Sequence, residues 1–116
     1  MEVRGFAWLG TRTERFDAMV AFAQDVLGMP APQRVPGMAV FTLPDGSTFE
    51  VFAPKHPGGG HPQGTVVAGF RVDDPASARE ELIAAGCDVG ELQQGETMQW
   101  AYFQAPDGGW YEIYGP

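Results

Sequence analysis

Two glutamates stand at the same place in two similar segments of this sequence, and paired carboxylates serve proton transfer or metal binding. Residues 43–52 are LPDGSTFEVF and residues 105–114 are APDGGWYEIY, so Glu50 and Glu112 align. Each lies between strand-forming residues, where a carboxylate is costly unless it is hydrated, paired or metal-bound. The pair indicates a functional site, although either glutamate alone is equally consistent with a solvated residue or a salt bridge across a dimer interface.

Each of the two segments predicts a β-hairpin. In PDG, proline fixes φ, aspartate bonds back to the backbone and glycine accepts positive φ. The stretches MAVFTL and TFEVF flank the first PDG, and WAYFQA and WYEIY flank the second. The match extends upstream, because Ala39 and Phe41 align with Ala101 and Phe103. We interpret the agreement as an internal duplication rather than a coincidence between two common hairpins.

The first hairpin follows a predicted strand and a predicted helix. Residues 3–11 are rich in strand formers, and residues 14–27 carry apolar residues at helical spacing. Thr13 is the expected N-cap, and Gly28 is expected to end the helix. A short strand is expected near residues 33–35.

The second hairpin is preceded by the same pattern. Residues 65–72 predict a strand. A helix is then expected from Pro75 to about Ala85, with Asp74 as its N-cap. A short strand is expected near residues 89–92.

Each half of the chain is therefore predicted to contain, in order, a strand, a helix and three strands. This arrangement predicts an α+β fold. We expect one domain over residues 1–116, built of a first module (1–53), a linker rich in glycine and proline (54–64) and a second module (65–116). Neither half alone buries much surface, so the modules are expected to share a sheet.

The amino-acid composition limits which partners and which cellular location we expect. Hydrophobic residues make up 44% of the chain, which favours a packed core over disorder. The net charge of −8 argues against nucleic acid or an anionic membrane as partner. The sequence shows neither an apolar run of membrane-helix length nor a signal peptide, and it has a single cysteine, Cys87, expected to be a small buried hydrophobe. We therefore expect a cytoplasmic protein.

Strand alternation assigns both glutamates to the sheet face away from the helices. Gly69 leaves room on that face, which we expect to be a concave pocket. The candidate catalytic residues are Glu50 and Glu112. The candidate ligand-binding residues are five aromatic side chains and one arginine, namely Phe6, Trp8, Phe52, Arg71, Trp110 and Tyr114.

This layout resembles the glyoxalase/bleomycin-resistance/extradiol-dioxygenase superfamily, also called the vicinal oxygen chelate superfamily. The segments FAQDVLGM (22–29), PDGSTFEVF and PDGGWYEIY are similar to the helix end and the hairpins of that family. The resemblance implies a curved mixed sheet of two tandem βαβββ modules, with helices on its convex face. It also implies a homodimer, because members commonly pair. It leaves the activity open, since the fold hosts lyases, isomerases, dioxygenases, thiol transferases and drug-binding proteins.

The resemblance also implies four metal-ligand positions, on the first and last strands of the two modules. Glu50 and Glu112 match two of them, but Trp8 and Val67 fall on the others and cannot bind a metal. Two carboxylates alone make a poor divalent site. The linker histidines, His56 and His61, are expected to be surface residues. We therefore expect no complete metal site and no cofactor.

The first functional hypothesis is a binder of a small organic molecule, similar to the bleomycin-resistance branch, with a cationic and partly aromatic ligand. The alternative is a lyase or isomerase, similar to lactoylglutathione lyase, that uses Glu50 and Glu112 for proton transfer or metal binding. In that case Arg71 would stabilise an enolate. A third hypothesis is a regulatory module or fusion remnant without a ligand.

Overall fold

The computed structural model describes residues 1–57 and 66–116, and its strands form one mixed sheet. Within these residues the nine strands are β1 (Gly5–Arg12), β2 (Gln33–Val35), β3 (Met38–Thr42), β4 (Thr48–Phe52), β5 (Val66–Arg71), β6 (Asp88–Val89), β7 (Gln93–Gln94), β8 (Gln99–Gln104) and β9 (Trp110–Gly115). The sheet order is β2-β3-β4-β1-β5-β9-β8-β6, with β7 paired to β8. Two α-helices, α1 (Phe16–Ala21) and α2 (Pro75–Ala84), complete the predicted α+β fold.

The two halves of the sheet repeat one another. In each half the first strand runs parallel to the last, so that Gly10 lies opposite Glu50 and Gly69 lies opposite Glu112. Strands β1 and β5 pair antiparallel and join the halves within one chain. The positions two residues before these glycines, Trp8 and Val67, are therefore equivalent.

The duplication extends to the hydrogen bonds of the two PDG turns. The Gly46 N–H donates to the Leu43 carbonyl, and the Gly108 N–H donates to the Ala105 carbonyl, each at 2.9 Å. Both glycines have positive φ, +85° and +82°. Glycine accepts this conformation without a Cβ clash, so the turn places each following strand in the same register.

The first helix is shorter than its apolar spacing predicts. The α-helical part covers Phe16–Ala21 and continues as a π-helical turn, Phe22–Val26. The Thr13 hydroxyl accepts from the Arg15 N–H at 3.0 Å, so it closes the turn before the helix and does not cap the helix itself. Gly28 follows with φ +72°, as expected for the end of the helix.

The second helix follows the prediction closely. The Asp74 carboxylate caps α2 by accepting from the Ser77 N–H at 3.0 Å, and Pro75 occupies the first turn. Beyond the helix, the strand expected near residues 89–92 is instead two two-residue strands, β6 and β7. In the described part of the chain no helix is long and apolar enough to cross a membrane.

Three apolar clusters hold the sheet. The helices cover one face in two clusters, one centred on Val20, Ala23, Ala39, Phe41 and Val51, the other on Val72, Ala78, Ala101, Phe103 and Ile113. The opposite face carries a third cluster of Ala7, Trp8, Phe52 and Val67. The apolar residues that align upstream of the two turns, Ala39 with Ala101 and Phe41 with Phe103, lie on the helix side. The third cluster is therefore the floor beneath the concave face.

Candidate functional site

A pocket of about 940 Å³ opens on the sheet face opposite the helices, and both halves of the chain contribute to it. Its aromatic lining consists of Trp8, Trp100, Tyr102 and Tyr114. Its charged lining consists of Asp45, Glu50, Arg71 and Glu112. A concave apolar pocket with a few convergent polar groups is typical of small-molecule sites.

Glu112 is the most buried acid of the pocket, with 3% of the residue exposed. Its Oε1 accepts from the Trp8 indole N–H at 2.6 Å, and the Tyr102 hydroxyl also hydrogen-bonds the carboxylate. Burial raises the pKa of Glu112 to about 7; the two hydrogen bonds oppose this shift and the charge of Glu50 adds to it. The group is therefore able to take up or release a proton near neutral pH.

Glu50 is the matching acid of the first half and is half-buried. Its Oε2 accepts from the Thr48 hydroxyl at 2.7 Å. Burial raises its pKa, and the Thr48 hydrogen bond partly offsets that effect. The two acids thus differ in environment, since Glu112 has two donors and Glu50 has one among the described residues.

Trp8 reaches from the first half to the acid of the second half. It is 6% exposed, and its ring lies close to the backbone at Gly10 and Gly69. A Cβ at either glycine would overlap the indole. Both positions therefore need glycine for Trp8 to meet Glu112.

Replacing Gly69 by alanine is expected to displace the indole and lower the free energy of unfolding by about 1–3 kcal/mol, as overpacking does. Denaturant unfolding followed by tryptophan emission checks this. Gly90→Ala is the control, since the nearest atom to its new Cβ is the Tyr102 carbonyl oxygen at an ordinary 3.5 Å. Equal stability of the two variants would contradict the packing argument.

The residues at the four metal-ligand positions implied by the family resemblance do not fit a metal. Trp8 donates its N–H to Glu112, and the side chain of Val67 is a hydrocarbon, so neither supplies a lone pair. Within residues 1–57 and 66–116, no group of three or more His, Cys, Asp or Glu is placed to hold an ion. His56 lies half-buried against the Phe52 ring, at 6.1 Å between centroids, and is not a pocket-lining residue. His61 lies outside the described residues.

Arg71 lines the pocket and is held there by an irregularity in β1. The register between β1 and β5 shifts at Ala7, where a bulge interrupts the ladder. The Arg71 Nη2 donates to the Phe6 carbonyl at 2.9 Å next to this bulge. The guanidinium is thereby fixed to the backbone at the pocket wall.

The same bulge makes the prediction for Phe6 wrong. One extra residue reverses the alternation of side chains, so Phe6 pairs with Phe70 and lies on the helix side of the sheet. Its ring is 5.5 Å from the Phe70 ring, and the residue is 61% exposed. Phe6 therefore does not face the pocket.

Two further candidates do not line the pocket. Phe52 is fully buried in the cluster beneath it, where its ring packs under the Arg12 guanidinium. Trp110 is half-buried at the far end of β9, four residues or about 13 Å of extended strand from Tyr114. Of the eight candidates, the structure brings together Trp8, Glu50, Arg71, Glu112 and Tyr114.

Two pocket residues escaped the sequence interpretation, although a signal for them was present. Ala101 and Phe103 had been aligned with the core positions of the first hairpin. Strand alternation then requires Trp100 and Tyr102 to face the other way, into the pocket, as they do. Asp45 and Met98 also line the pocket, and they come from a turn and from the end of a loop, for which no periodicity exists.

The sequence model of the Glyoxalase/Bleomycin resistance protein/Dioxygenase superfamily matches residues 5–113. The chain belongs to this superfamily. The match covers both halves and so agrees with the duplicated βαβββ architecture described above. A comparison with curated proteins finds no match.

Several solved structures superpose over almost the whole chain. Methylmalonyl-CoA epimerase from Mycobacterium tuberculosis has a TM-score of 0.72 at 17% identity, over 98% of this chain and 89% of that one. A superfamily member from Vibrio splendidus 12B01 has a TM-score of 0.72 at 18% identity, over 99% and 100%. The Mn(II)-bound glyoxalase from Novosphingobium aromaticivorans has a TM-score of 0.77 at 21% identity, over 97% of this chain and 39% of that one. At these identities the likeness concerns the fold.

Proposed function

We propose that this superfamily member binds a small organic molecule in its concave pocket without a divalent metal. The observation that carries the proposal is the hydrogen bond from Trp8 to Glu112, 2.6 Å long. The carboxylate that would serve as a metal ligand is already satisfied by a neutral donor. The donor, Trp8, occupies one of the four metal-ligand positions that the family resemblance implies, where a metal site needs a side chain with a lone pair.

The volume and lining of the pocket support ligand binding. A volume of about 940 Å³ lies within the range of pockets that hold drug-sized molecules. Aromatic rings from both halves line it and offer flat apolar surfaces for stacking. The domain boundaries given above, 1–53 and 65–116, stay a prediction that this proposal does not need.

Intrinsic tryptophan fluorescence tests the proposal directly. Trp8 and Trp100 line the pocket and Trp110 does not, so a bound molecule is expected to change the emission of the first two. The protein is titrated with a panel of aromatic metabolites and antibiotics. The Trp110→Phe variant is expected to keep the response, and Trp100→Phe to lose part of it.

Elemental analysis of the purified protein completes this test. We expect substoichiometric Mn, Ni, Zn and Fe, because two carboxylates alone supply too few ligands, and Ni, Zn and Fe also favour imidazole or thiolate. Stoichiometric metal, or a flat fluorescence response to the whole panel, would overturn the proposal.

A second candidate function is proton transfer, and the pKa of Glu112 near 7 favours it. The Glu112 carboxylate would remove a proton from carbon beside a carbonyl group, while Arg71 stabilises the resulting enolate. In D₂O, NMR would then show deuterium replacing hydrogen at that carbon of a substrate. Glu112→Gln is expected to abolish the exchange; exchange that survives the substitution would exclude Glu112 as the base.

We also propose that the chain forms a homodimer. The two central strands carry exposed apolar side chains on the helix-side face, with Phe6 at 61%, Leu9 at 43% and Val66 at 58% exposure. Pairing of two chains would remove such surface from water. Light scattering is expected to give twice the chain mass of 12.5 kDa, and a single-chain mass at micromolar concentration would refute the dimer.

A further inference from the structure

We propose that the floor of the pocket is a subsite for a protonated amine, so that the ligand is an organic ammonium ion with an apolar body. This inference rests on the proposed function, because it names the ligand class for the same pocket. Its geometric basis is the pair of carboxylates, Glu50 and Glu112, which line the pocket together with aromatic rings.

Neither carboxylate has a cationic partner among the described residues, where all the salt bridges lie elsewhere. Glu112 is held by neutral donors, the Trp8 indole and the Tyr102 hydroxyl. Within that part of the chain, Glu50 accepts from the Thr48 hydroxyl through Oε2, which leaves Oε1 to accept from a ligand. A buried carboxylate without a countercharge is strongly stabilised by an incoming cation that donates an N–H.

The aromatic lining reinforces this preference. The Trp100 and Tyr114 rings lie 6.2 Å apart at 32°, on the wall beside Glu112. Burial raises the pKa of Tyr114, and the negative charges of Glu112 and Glu50 raise it further. These charges and the ring faces act in the same direction, since both attract a cation.

Two arginines, Arg71 and Arg12, bear on this argument, and each donates hydrogen bonds to backbone carbonyls. Arg71 donates to the Phe6 carbonyl. Its charge also contributes slightly to lowering the pKa of Asp45 at the rim, an effect due mainly to hydrogen bonds from Ser47. Arg12 donates to the carbonyls of residues 53, 54 and 56 and packs over the Phe52 ring. Among residues 1–57 and 66–116, an amine would therefore meet no existing ion pair at either acid.

Binding of an amine is expected to release a proton, because the cation favours ionised Glu112. The groups that face Glu112 from the surrounding strands are Trp8, Glu50, Arg71, Tyr102 and Tyr114. With the pKa of Glu112 at about 7, its ionised fraction rises steeply between pH 6 and 8. Amine affinity is expected to rise up to about tenfold over this interval, since binding no longer has to expel the proton.

The test uses four probes that share a phenylethyl body. They are 2-phenylethylamine, its N,N,N-trimethyl derivative, 2-phenylethanol and 3-phenylpropanoate, titrated by tryptophan fluorescence and by calorimetry at pH 6 and pH 8. We expect the primary amine to bind at least about tenfold tighter than the alcohol at pH 8, since hydrogen bonds to charged groups are the stronger class. The trimethyl ion is expected to bind between them, because it keeps the charge but lacks the N–H, and the carboxylate is expected to bind most weakly.

Matched variants test whether the preference for the amine comes from the two glutamates. Glu50→Gln and Glu112→Gln are each expected to reduce the preference for the amine over the alcohol, and Glu112→Gln to remove its pH dependence. Glu80→Gln makes the same change of net charge on the exposed side of α2 and is expected to leave the preference intact. Circular dichroism and thermal unfolding establish that each variant is folded before its affinities are compared.

The outcomes separate the two proposals. Equal affinity for amine and alcohol in the folded protein overturns the ammonium subsite and leaves the small-molecule pocket standing. A preference that survives both glutamine substitutions also overturns it. Absence of any response to these probes and to the broader panel overturns the pocket proposal itself.

Discussion

The free energy of unfolding is expected to fall by about 2–3 kcal/mol as the pH rises from 5 to 8. Burial raises the pKa of Glu112 to about 7, while in the unfolded chain the value is about 4.3. Between these two values the folded protein holds a proton that the unfolded chain has released. Rising pH therefore favours the unfolded chain until Glu112 is ionised in both states, above about pH 7. Glu50, whose pKa is also raised by burial, adds a dependence of the same sign.

Glu112→Gln is expected to flatten this dependence and to exceed the unmodified protein in stability at pH 8. An amide cannot ionise, and its carbonyl oxygen still accepts from the Trp8 indole. Urea unfolding at half-unit pH intervals measures the slope. Hydrogen bonds from Ser47 and Tyr111 lower the pKa values of Asp45 and Asp107, so these two acids stay ionised throughout the interval and do not contribute to the slope. An unchanged slope in the variant would mean that Glu112 is not the group responsible.

The paired substitution Trp8→His and Val67→His is expected to give the protein a divalent-metal site. Both positions lie two residues before the glycines that face Glu50 and Glu112, so the new imidazoles would stand on the first strands opposite the two carboxylates. Two imidazoles and two carboxylates form a ligand set that Zn²⁺ and neighbouring ions bind well. We expect about one metal ion per chain by elemental analysis, against substoichiometric metal in the unmodified protein.

The substitution also removes a buried indole and a buried valine, so the metal-free variant is expected to be less stable by several kcal/mol. Added Zn²⁺ should then raise its melting temperature, because an ion that binds the folded state alone stabilises it. Adding Glu112→Gln to the pair removes one ligand and should weaken the metal effect. A folded paired variant that binds no metal would show that the two positions do not converge on the glutamates.

The fold could be predicted from the sequence because each element is specified by neighbouring residues and the same pattern occurs twice. The two PDG hairpins, the Asp74 cap and the glycines after both helices each specify an element by nearest-neighbour chemistry. The spacing of apolar residues did not specify the π-helical turn of Phe22–Val26, since a widened turn keeps nearly the same buried face.

The site was only partly predictable, for a different reason. Strand alternation placed Glu50, Glu112, Trp8 and Tyr114 correctly, because it needs only an uninterrupted strand. It failed at Phe6, where the bulge at Ala7 inserts one residue and leaves no mark in composition. The contact between Trp8 and Glu112 joins residues 104 positions apart, and no local pattern encodes it.

The hydrogen bond from Trp8 to Glu112 makes the two halves of the chain chemically different. The first half supplies the donor and the second half supplies the acceptor, whereas Val67 and Glu50 form no reciprocal bond. Two copies of the second half could not assemble and keep this link, because each carries Val67 at the position of the donor. Two copies of the first half would still offer a glutamate, Glu50, at the position of the acceptor. The twofold symmetry survives in the backbone, but the donor comes from the first half alone.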